Sequence, residues 1–450
     1  MGASPPVPIR VNVPDSSLSG WLDYIERQHP SAIAMGLERV REVAARMRLG
    51  TPAGKEPAHG DVRRSCEGLA RKTIVVGGTN GKGSTVAFIE AIARAAGWKV
   101  GAYTSPHLLR YNERVRIDGQ EATDAQLVAG FEAVEAARGD TPLTYFEYGT
   151  LAALHVFAQS GLDLAVLEVG LGGRLDAVNI VDGDVAVITT VDIDHTEWLG
   201  PDRESIGEEK AGIIRAWKPV VLGEIDPPSS VLRRAYLLGA NAIRAGSDFF
   251  HEPVDGGHWR WRDVAFRLEL PMPQLSAPVQ LANAAAAIAA LRALGRPVPR
   301  QAWVEGVAAA RLPGRLQAFD VDGVEVLVDV GHNPQAAREL AAALRARPVA
   351  GTTFAVYAAL ADKDAAGVAQ TLAGAVDHWH LAGLEGPRGQ SAAQLGERLH
   401  QAGIVAAVSA DTVADALRQV LARARGGDRV LVFGSFHTAA EALQALRSGG

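Results

Sequence analysis

Apolar residues in this chain come in two rhythms, short continuous runs and steps of three or four, and their alternation predicts an α/β fold. The runs at 74–76, 99–103, 164–169 and 185–190 read as strands, and the run at 164–169 as a central one buried on both faces. After the first run, Val86, Ile89, Ala93 and Ala96 recur at steps of three, four and three, one face of a helix packed on a sheet. Residues 21–49 read as an amphipathic helical region with a break at 34–36. Residues 202–217 read as a helix capped by Asp202, with Ile206, Ile213, Ile214 and Trp217 on its apolar stripe, and 280–294 as an alanine-rich helix. Residues 251–270 alternate around Gly256-Gly257, with Trp259 and Trp261 on one face, and predict a hairpin. Leu312-Pro313-Gly314-Arg315 breaks the pattern, and strands at 325–330, 353–357, 378–381 and 429–433 then alternate with helices. The expected division is a larger unit over 1–312, a linker at 313–317 and a smaller α/β unit over 318–450.

Composition narrows the function classes. The 450 residues carry a net charge of −6 and no basic tract, so a nucleic-acid partner is not expected. The single cysteine, Cys66, excludes an internal disulfide and fits a reducing cytoplasm. The strongest apolar helical stretch, 284–291, is far short of the roughly 20 residues that span a bilayer. Residues 1–13 lack the apolar core of a signal peptide, and 50–66, rich in Gly, Pro and charge, read as a connecting loop.

The candidate chemistry gathers at predicted strand ends. The run 74–76 feeds Gly77-Gly78-Thr79-Asn80-Gly81-Lys82-Gly83-Ser84 and a helix. Glycines let backbone N–H groups converge on phosphate oxygens, the helix start adds partial positive charge, and Lys82 supplies a full one. The string departs from the general phosphate-loop pattern at Val76, in place of its first glycine, and at Gly83, in place of Ser or Thr. Glu168 ends one buried strand and His195 follows another; beside a phosphate loop suited to an anionic nucleotide they predict a metal site, with magnesium the ion expected. Ser105, after the strand at 99–103, has a hydroxyl suited to the same ion. Lys210 falls on the apolar stripe of its helix, either as a snorkelling stem or as a desolvated amine of lowered pKa, and pattern alone leaves both open. Asn333-Pro334 is a cap followed by a first helical residue.

Beyond these derivations, Gly78 to Ser84 resembles the Mur-ligase superfamily, and its Gly-Lys-Gly-Ser ending the folylpolyglutamate and dihydrofolate synthase branch. The stretch Trp21-Leu22-x-Tyr24 through His29, Ile33 and Met35-Gly36-Leu37-Glu38-Arg39-Val40 resembles the bifunctional members, and the likeness runs on to the final helix. It implies a P-loop N-terminal domain of Mur-ligase type with a smaller Rossmann-like C-terminal domain. It implies ATP on Gly78, Thr79, Asn80, Gly81, Lys82, Gly83 and Ser84, with Asn283, Arg315 of the Pro-Gly-Arg string and Asp329. Magnesium would occupy two sites, held by Ser105, Glu168, His195 and a carbamylated Lys210. Thr144, Tyr145, Phe146 and Glu147 would meet the pterin, with Arg174 and Ser435 also on substrate, and the strings at Asp329, His332, Asp362-Lys363-Asp364 and Ser435 would face glutamate. Lys82, Lys210, His332 and Asp329 are the implied catalytic set. The implied reaction is ATP-dependent addition of L-glutamate to dihydropteroate and to reduced folates by a cytoplasmic monomer. A folylpolyglutamate synthase alone, a Mur-type amino-acid ligase and a nucleotide switch without chemistry are the rivals.

Overall fold

The computed structural model describes residues 16–31, 33–49 and 68–448; Cys66, the loop expected at 50–66 and the start at 1–13 lie outside them. Eight strands form the first sheet: β1 (Ala70–Gly77), β2 (Val100–Tyr103), β3 (Val115–Ile117), β4 (Gln120–Glu121), β5 (Leu162–Glu168), β6 (Val185–Ile188), β7 (Pro219–Leu222) and β8 (Asn241–Arg244). Their order is β4-β3-β2-β5-β1-β6-β7-β8, parallel throughout except for the β3 and β4 edge. The pleat sorts the apolar runs between two cores. Ile74, Val76, Leu164 and Val166 face the helices Lys82–Ala95, Gln280–Ala293 and Arg300–Ala309, while Val75, Ala165 and Leu167 face the helices Asp124–Arg138 and Tyr145–Ala158. Two short N-terminal helices, Leu18–Glu26 and Glu38–Arg46, pack on that second face; the helical pattern is interrupted at the expected 34–36, and the interruption begins earlier, after Glu26.

Register decides which residues meet. Val76 pairs with Glu168 and Gly77 with Ile188, so the carboxyl ends of β1, β5 and β6 lie side by side. In open α/β sheets this edge is where ligands bind.

Two expectations need correction. The hairpin is a three-stranded antiparallel sheet, β9 (Phe249–Val254), β10 (His258–Asp263) and β11 (Arg267–Pro271), whose Trp259 and Trp261 are buried beside Leu268 and Leu270. Trp261 Nε1 donates to the Ala285 carbonyl at 3.1 Å, so the alanine-rich helix is covered on this side too. The helix expected at 202–217 is only Arg203–Ala211. Its Asp202 cap holds, the Ser205 N–H donating to Oδ1 at 2.8 Å. The chain then turns where Gly212 presses against the Arg174 backbone and Arg215 donates to the Gly212, Asn179 and Val181 carbonyls. Ile213 and Ile214 are buried by that turn, whereas Trp217 is 83% exposed with φ +61°. The strand expected at 99–103 pairs, beyond prediction, with the β3–β4 edge.

The second large sheet has six strands: β12 (Gln317–Val321), β13 (Val324–Val328), β14 (Thr353–Tyr357), β15 (His378–Ala382), β16 (Ala406–Ala410) and β17 (Arg429–Phe433). Their order is β12-β13-β17-β14-β15-β16, with β12 alone antiparallel. Asn333 caps the helix Pro334–Ala346, accepting from Ala336 N–H at 2.9 Å. The two sheets turn their carboxyl ends towards each other.

Candidate active site

Between those ends lies a cleft of about 240 Å³, lined by Gly78 to Ser84 after β1, Ser105 after β2, Glu168 at the end of β5, Asp194 and His195 after β6, and Lys210. Asn283, Arg315, Asp329, His332 and Phe436 close it from the other side.

The glycine turn is fixed by the loop after β6. Thr189 Oγ1 donates to the Asn80 carbonyl at 2.5 Å, Thr79 N–H to the Thr190 carbonyl at 2.8 Å, and Asn80 N–H to Thr190 Oγ1 at 3.1 Å. Gly78 has φ +146° and Gly81 φ +86°, and a Cβ at either would collide with Thr189 or Asn283. Only glycine meets both constraints. Gly81 caps the helix Lys82–Ala95 without a side-chain bond, so its first N–H groups remain available to an anion.

Three cations converge here. Lys82 Nζ donates to the Gly78 and Thr79 carbonyls at 2.9 and 3.1 Å, and among the described residues neither it, Lys210 nor Arg315 has an ion-pair partner. Burial pushes the Lys82 and Arg315 pKa values down, partly offset at Lys82 by Glu168 and at Arg315 by Asp329. Burial, with the Lys82 charge beside it, pushes the Lys210 amine down to about 7. Lys210 is 3% exposed, which excludes a snorkelling stem reaching bulk water. A cluster of cations depressed chiefly by burial, none of them ion-paired among the described residues, is a site that lacks its anion, and a nucleotide triphosphate supplies one.

The acidic side is sparse. Glu168, 4% exposed, accepts one hydrogen bond, from Ser105 N–H at 3.2 Å, and burial pushes its pKa up. Burial also pushes His195 down to about 4, leaving a neutral imidazole at physiological pH, the form that binds metal. Among the described residues no three His, Cys, Asp or Glu side chains form a cage. Magnesium takes one or two carboxylates, keeps waters and uses substrate phosphates for the rest, so an under-bonded Glu168 with His195 and Ser105 nearby fits it.

Residues 76–291 match the Mur ligase middle domain, and 314–436 the Mur ligase, glutamate ligase domain. A dihydrofolate synthase/folylpolyglutamate synthase of Escherichia coli (strain K12) is 48% identical over 439 residues, 97% of each chain. The chain belongs to the dihydrofolate synthase/folylpolyglutamate synthase family. This family of Mur-type ligases includes the Escherichia coli FolC structure in complex with DHPP and ADP, which superposes with a TM-score of 0.89 at 46% identity, over 97% of this chain and 100% of that one. A bifunctional folylpolyglutamate synthase/dihydrofolate synthase with Mn, AMPPNP and L-glutamate bound superposes with a TM-score of 0.86 at 46% identity, over 96% and 98%.

In this member of the dihydrofolate synthase/folylpolyglutamate synthase family, the cleft gathers the whole expected nucleotide and metal set but not the expected substrate set. Thr144 and Glu147 form a capping box, Glu147 N–H donating to Thr144 Oγ1 at 3.2 Å and Thr144 N–H to Glu147 Oε2 at 2.8 Å; Arg39 pairs with Glu147 at 2.8 Å. Tyr145 and Phe146 are half-buried, the Phe146 ring lying against Gly170. Arg174 is bound to Glu209 at 2.7 Å, and buried Ser435 accepts from Thr438 N–H at 3.0 Å.

Sequence reasoning missed Asp194. Lys363 Nζ donates to its Oδ1 at 2.7 Å and Asn333 Nδ2 to its Oδ2 at 3.0 Å, with His332 Nε2 at 3.6 Å. Burial works against its charge, but His332, His195 and Lys363 outweigh that and hold the carboxyl far below the usual range. Three further contacts cross the cleft: Asn80 Nδ2 donates to Asn333 Oδ1 at 3.0 Å and to Gln335 Oε1 at 2.6 Å, and Arg338 pairs with Asp192. The available signal was position, since Asp194 and Lys363 each follow a strand end.

Proposed function

We propose that this chain joins L-glutamate to the carboxylate of dihydropteroate and to that of reduced folates, driven by ATP. What supports the reading is one juxtaposition: Lys82, Lys210 and Arg315, none ion-paired among the described residues, gathered at a glycine turn that faces a second α/β part across a cleft. The family and its relatives supply the substrate class.

A substrate carboxylate oxygen attacks the γ-phosphorus, the bond to the bridging oxygen breaks, and ADP leaves with an acyl phosphate formed. The α-amine of glutamate then attacks the acyl carbon, phosphate departs, and the amine gives up its proton. Lys82, Arg315 and the free N–H groups of the helix Lys82–Ala95 hold the phosphates and oppose the charge that builds during transfer. Ser105 and Glu168 would hold one magnesium, and Glu168, His195 and Lys210 would support a second. Such ions, when bound, neutralise phosphate charge and polarise the transferred group. The neutral Lys210 amine adds carbon dioxide, forming an N–C bond and releasing one proton, to give a carbamate in this reading. Asp329 and His332, near Arg315 and Asp194, meet the incoming glutamate. The pterin lies towards Phe146 and Gly170, where Thr144, Glu147 and Arg174 set the backbone, while Ser435 positions the helix Phe436–Ser448 opposite. Residues 1–312 act as the nucleotide and pterin domain, 313–317 as linker and 318–450 as the glutamate-ligase domain, in a cytoplasmic monomer. No helix of the described residues is long and apolar enough to cross a membrane.

The test supplies dihydropteroate carrying ¹⁸O in its carboxylate, with ATP and glutamate. ADP release should require both other substrates, and one labelled oxygen should appear in the phosphate. Unlabelled phosphate refutes the acyl phosphate; product from reduced folate but none from dihydropteroate restricts the chain to glutamate extension.

A further inference from the structure

One carboxylate in the cleft has no role in the chemistry above. Glu339 lines the cavity, yet among the described residues it receives no hydrogen bond and forms no ion pair. Glu339 is half-buried, and burial pushes its pKa up against the opposing Arg338 charge. A carboxylate partly withdrawn from water that faces a ligand cleft with no donor from the chain points to donors that arrive with the ligand.

Its place on the helix Pro334–Ala346 says which donors. That helix begins at the glycine turn, where Gln335 accepts from Asn80 at 2.6 Å. Gln335, Ala336, Glu339 and Leu340 line the cleft along one face. Glu339 therefore lies one turn, about 6 Å, beyond the residue that touches the phosphate loop. A nucleotide with its phosphates on Gly78 to Ser84 runs outward from that loop, and the next donors along it are the two ribose hydroxyls. Apolar Ala277 and Val279, with Gln280 and Asn283, line the wall of the same cleft and would offer an apolar surface to a base. A carboxylate near the phosphates would be repelled, whereas two carboxylate oxygens match a vicinal diol.

We propose that Glu339 accepts hydrogen bonds from the ribose 2′- and 3′-hydroxyls and makes the site selective for ribonucleotides. This rests on the nucleotide reading of the cleft.

The experiment compares ATP with 2′,3′-dideoxy-ATP as phosphoryl donor for the full chain, its Glu339→Gln and its Glu339→Ala variants, with dihydropteroate and glutamate saturating. The parent should favour ATP in kcat/KM by about 10- to 100-fold, the range of a charge-assisted hydrogen bond. Glu339→Ala should raise KM for ATP by a similar factor, leave the dideoxy nucleotide almost untouched and bring the ratio near one, with Glu339→Gln between. Equal losses with both nucleotides, or a shift in the magnesium midpoint without a change in the ratio, overturn the proposal. If Glu339→Ala does not fold, the near-isosteric Glu339→Gln carries the same comparison. Failure of the underlying reading looks different: the parent turns over neither nucleotide, or Lys82→Ala leaves ATP turnover unchanged.

Discussion

At the scale of single residues, two lysines do different work in one electrostatic field. Lys82 is the charge on the glycine turn, held by the Gly78 and Thr79 carbonyls it would exchange for phosphate oxygens. Lys82→Ala should leave the fold intact and lower turnover by roughly 10²- to 10³-fold, as loss of a transition-state donor does; steady-state kinetics beside a circular dichroism melt checks it. Lys210 is valuable because it can be neutral. With the amine at about 7, the protonated form dominates below that pH and the neutral form above it, so ¹³CO₂ should give a carbamate NMR signal that grows from pH 6 to 8. The signal should be absent from Lys210→Met, whose activity should fall about 10- to 100-fold. The same depressed value has a folding signature. Between pH 7 and the ordinary 10.5 the unfolded chain holds the extra proton, so this residue's contribution to stability rises with pH across that window. In CO₂-depleted buffer Lys210→Met should therefore melt higher than the parent near pH 7, and the advantage should shrink towards pH 10.

Among elements, the glycine turn is where local sequence and long-range packing agree most closely. Gly78→Ala places a methyl against Thr189 in a backbone region that L-residues avoid, which should cost about 1–3 kcal/mol and displace the turn. Chemical denaturation and nucleotide titration should both register it; a variant with parental stability and affinity would mean the turn is not held by the loop after β6. This turn was legible because its strand, glycines, lysine and helix are contiguous, and β17 because it is a continuous buried run. Helix Arg203–Ala211 was overextended because Ile213 and Ile214 keep the helical rhythm although a turn buries them. β4, β8 and β12 escaped prediction because edge strands alternate weakly or carry polar residues, and β11 because its mate β10 was already paired with β9. Asp194 was hidden for another reason. Its partners Lys363 and Asn333 lie 169 and 139 residues away, a relation that no local pattern contains.

The whole molecule depends on contacts across the cleft. Lys363 and Asp194 are 8% and 11% exposed, and removing Lys363 takes from the buried Asp194 carboxylate its only lysine or arginine partner among the described residues, leaving it Asn333 and the two histidines, roughly a 3 kcal/mol penalty. Lys363→Met should loosen the two α/β parts, which X-ray scattering would record as a larger radius of gyration without loss of secondary structure. An unchanged scattering profile would place the holding energy elsewhere. The apolar part of the junction is small, Leu108 packing against Gly314 beside Val330 and Ala439, and Ala277 with Val279 against the cluster that holds Leu316 and Leu340. Apart from those two contacts the facing groups are Asn80, Asp192 and Asp194 on one side and Asn333, Gln335, Arg338 and Lys363 on the other. Groups of this kind are rewetted as soon as they separate. The two parts can therefore gape and shut at every turnover without baring a sticky face to neighbouring copies, and crowded solutions of the gaping Lys363→Met form should stay clear in light scattering.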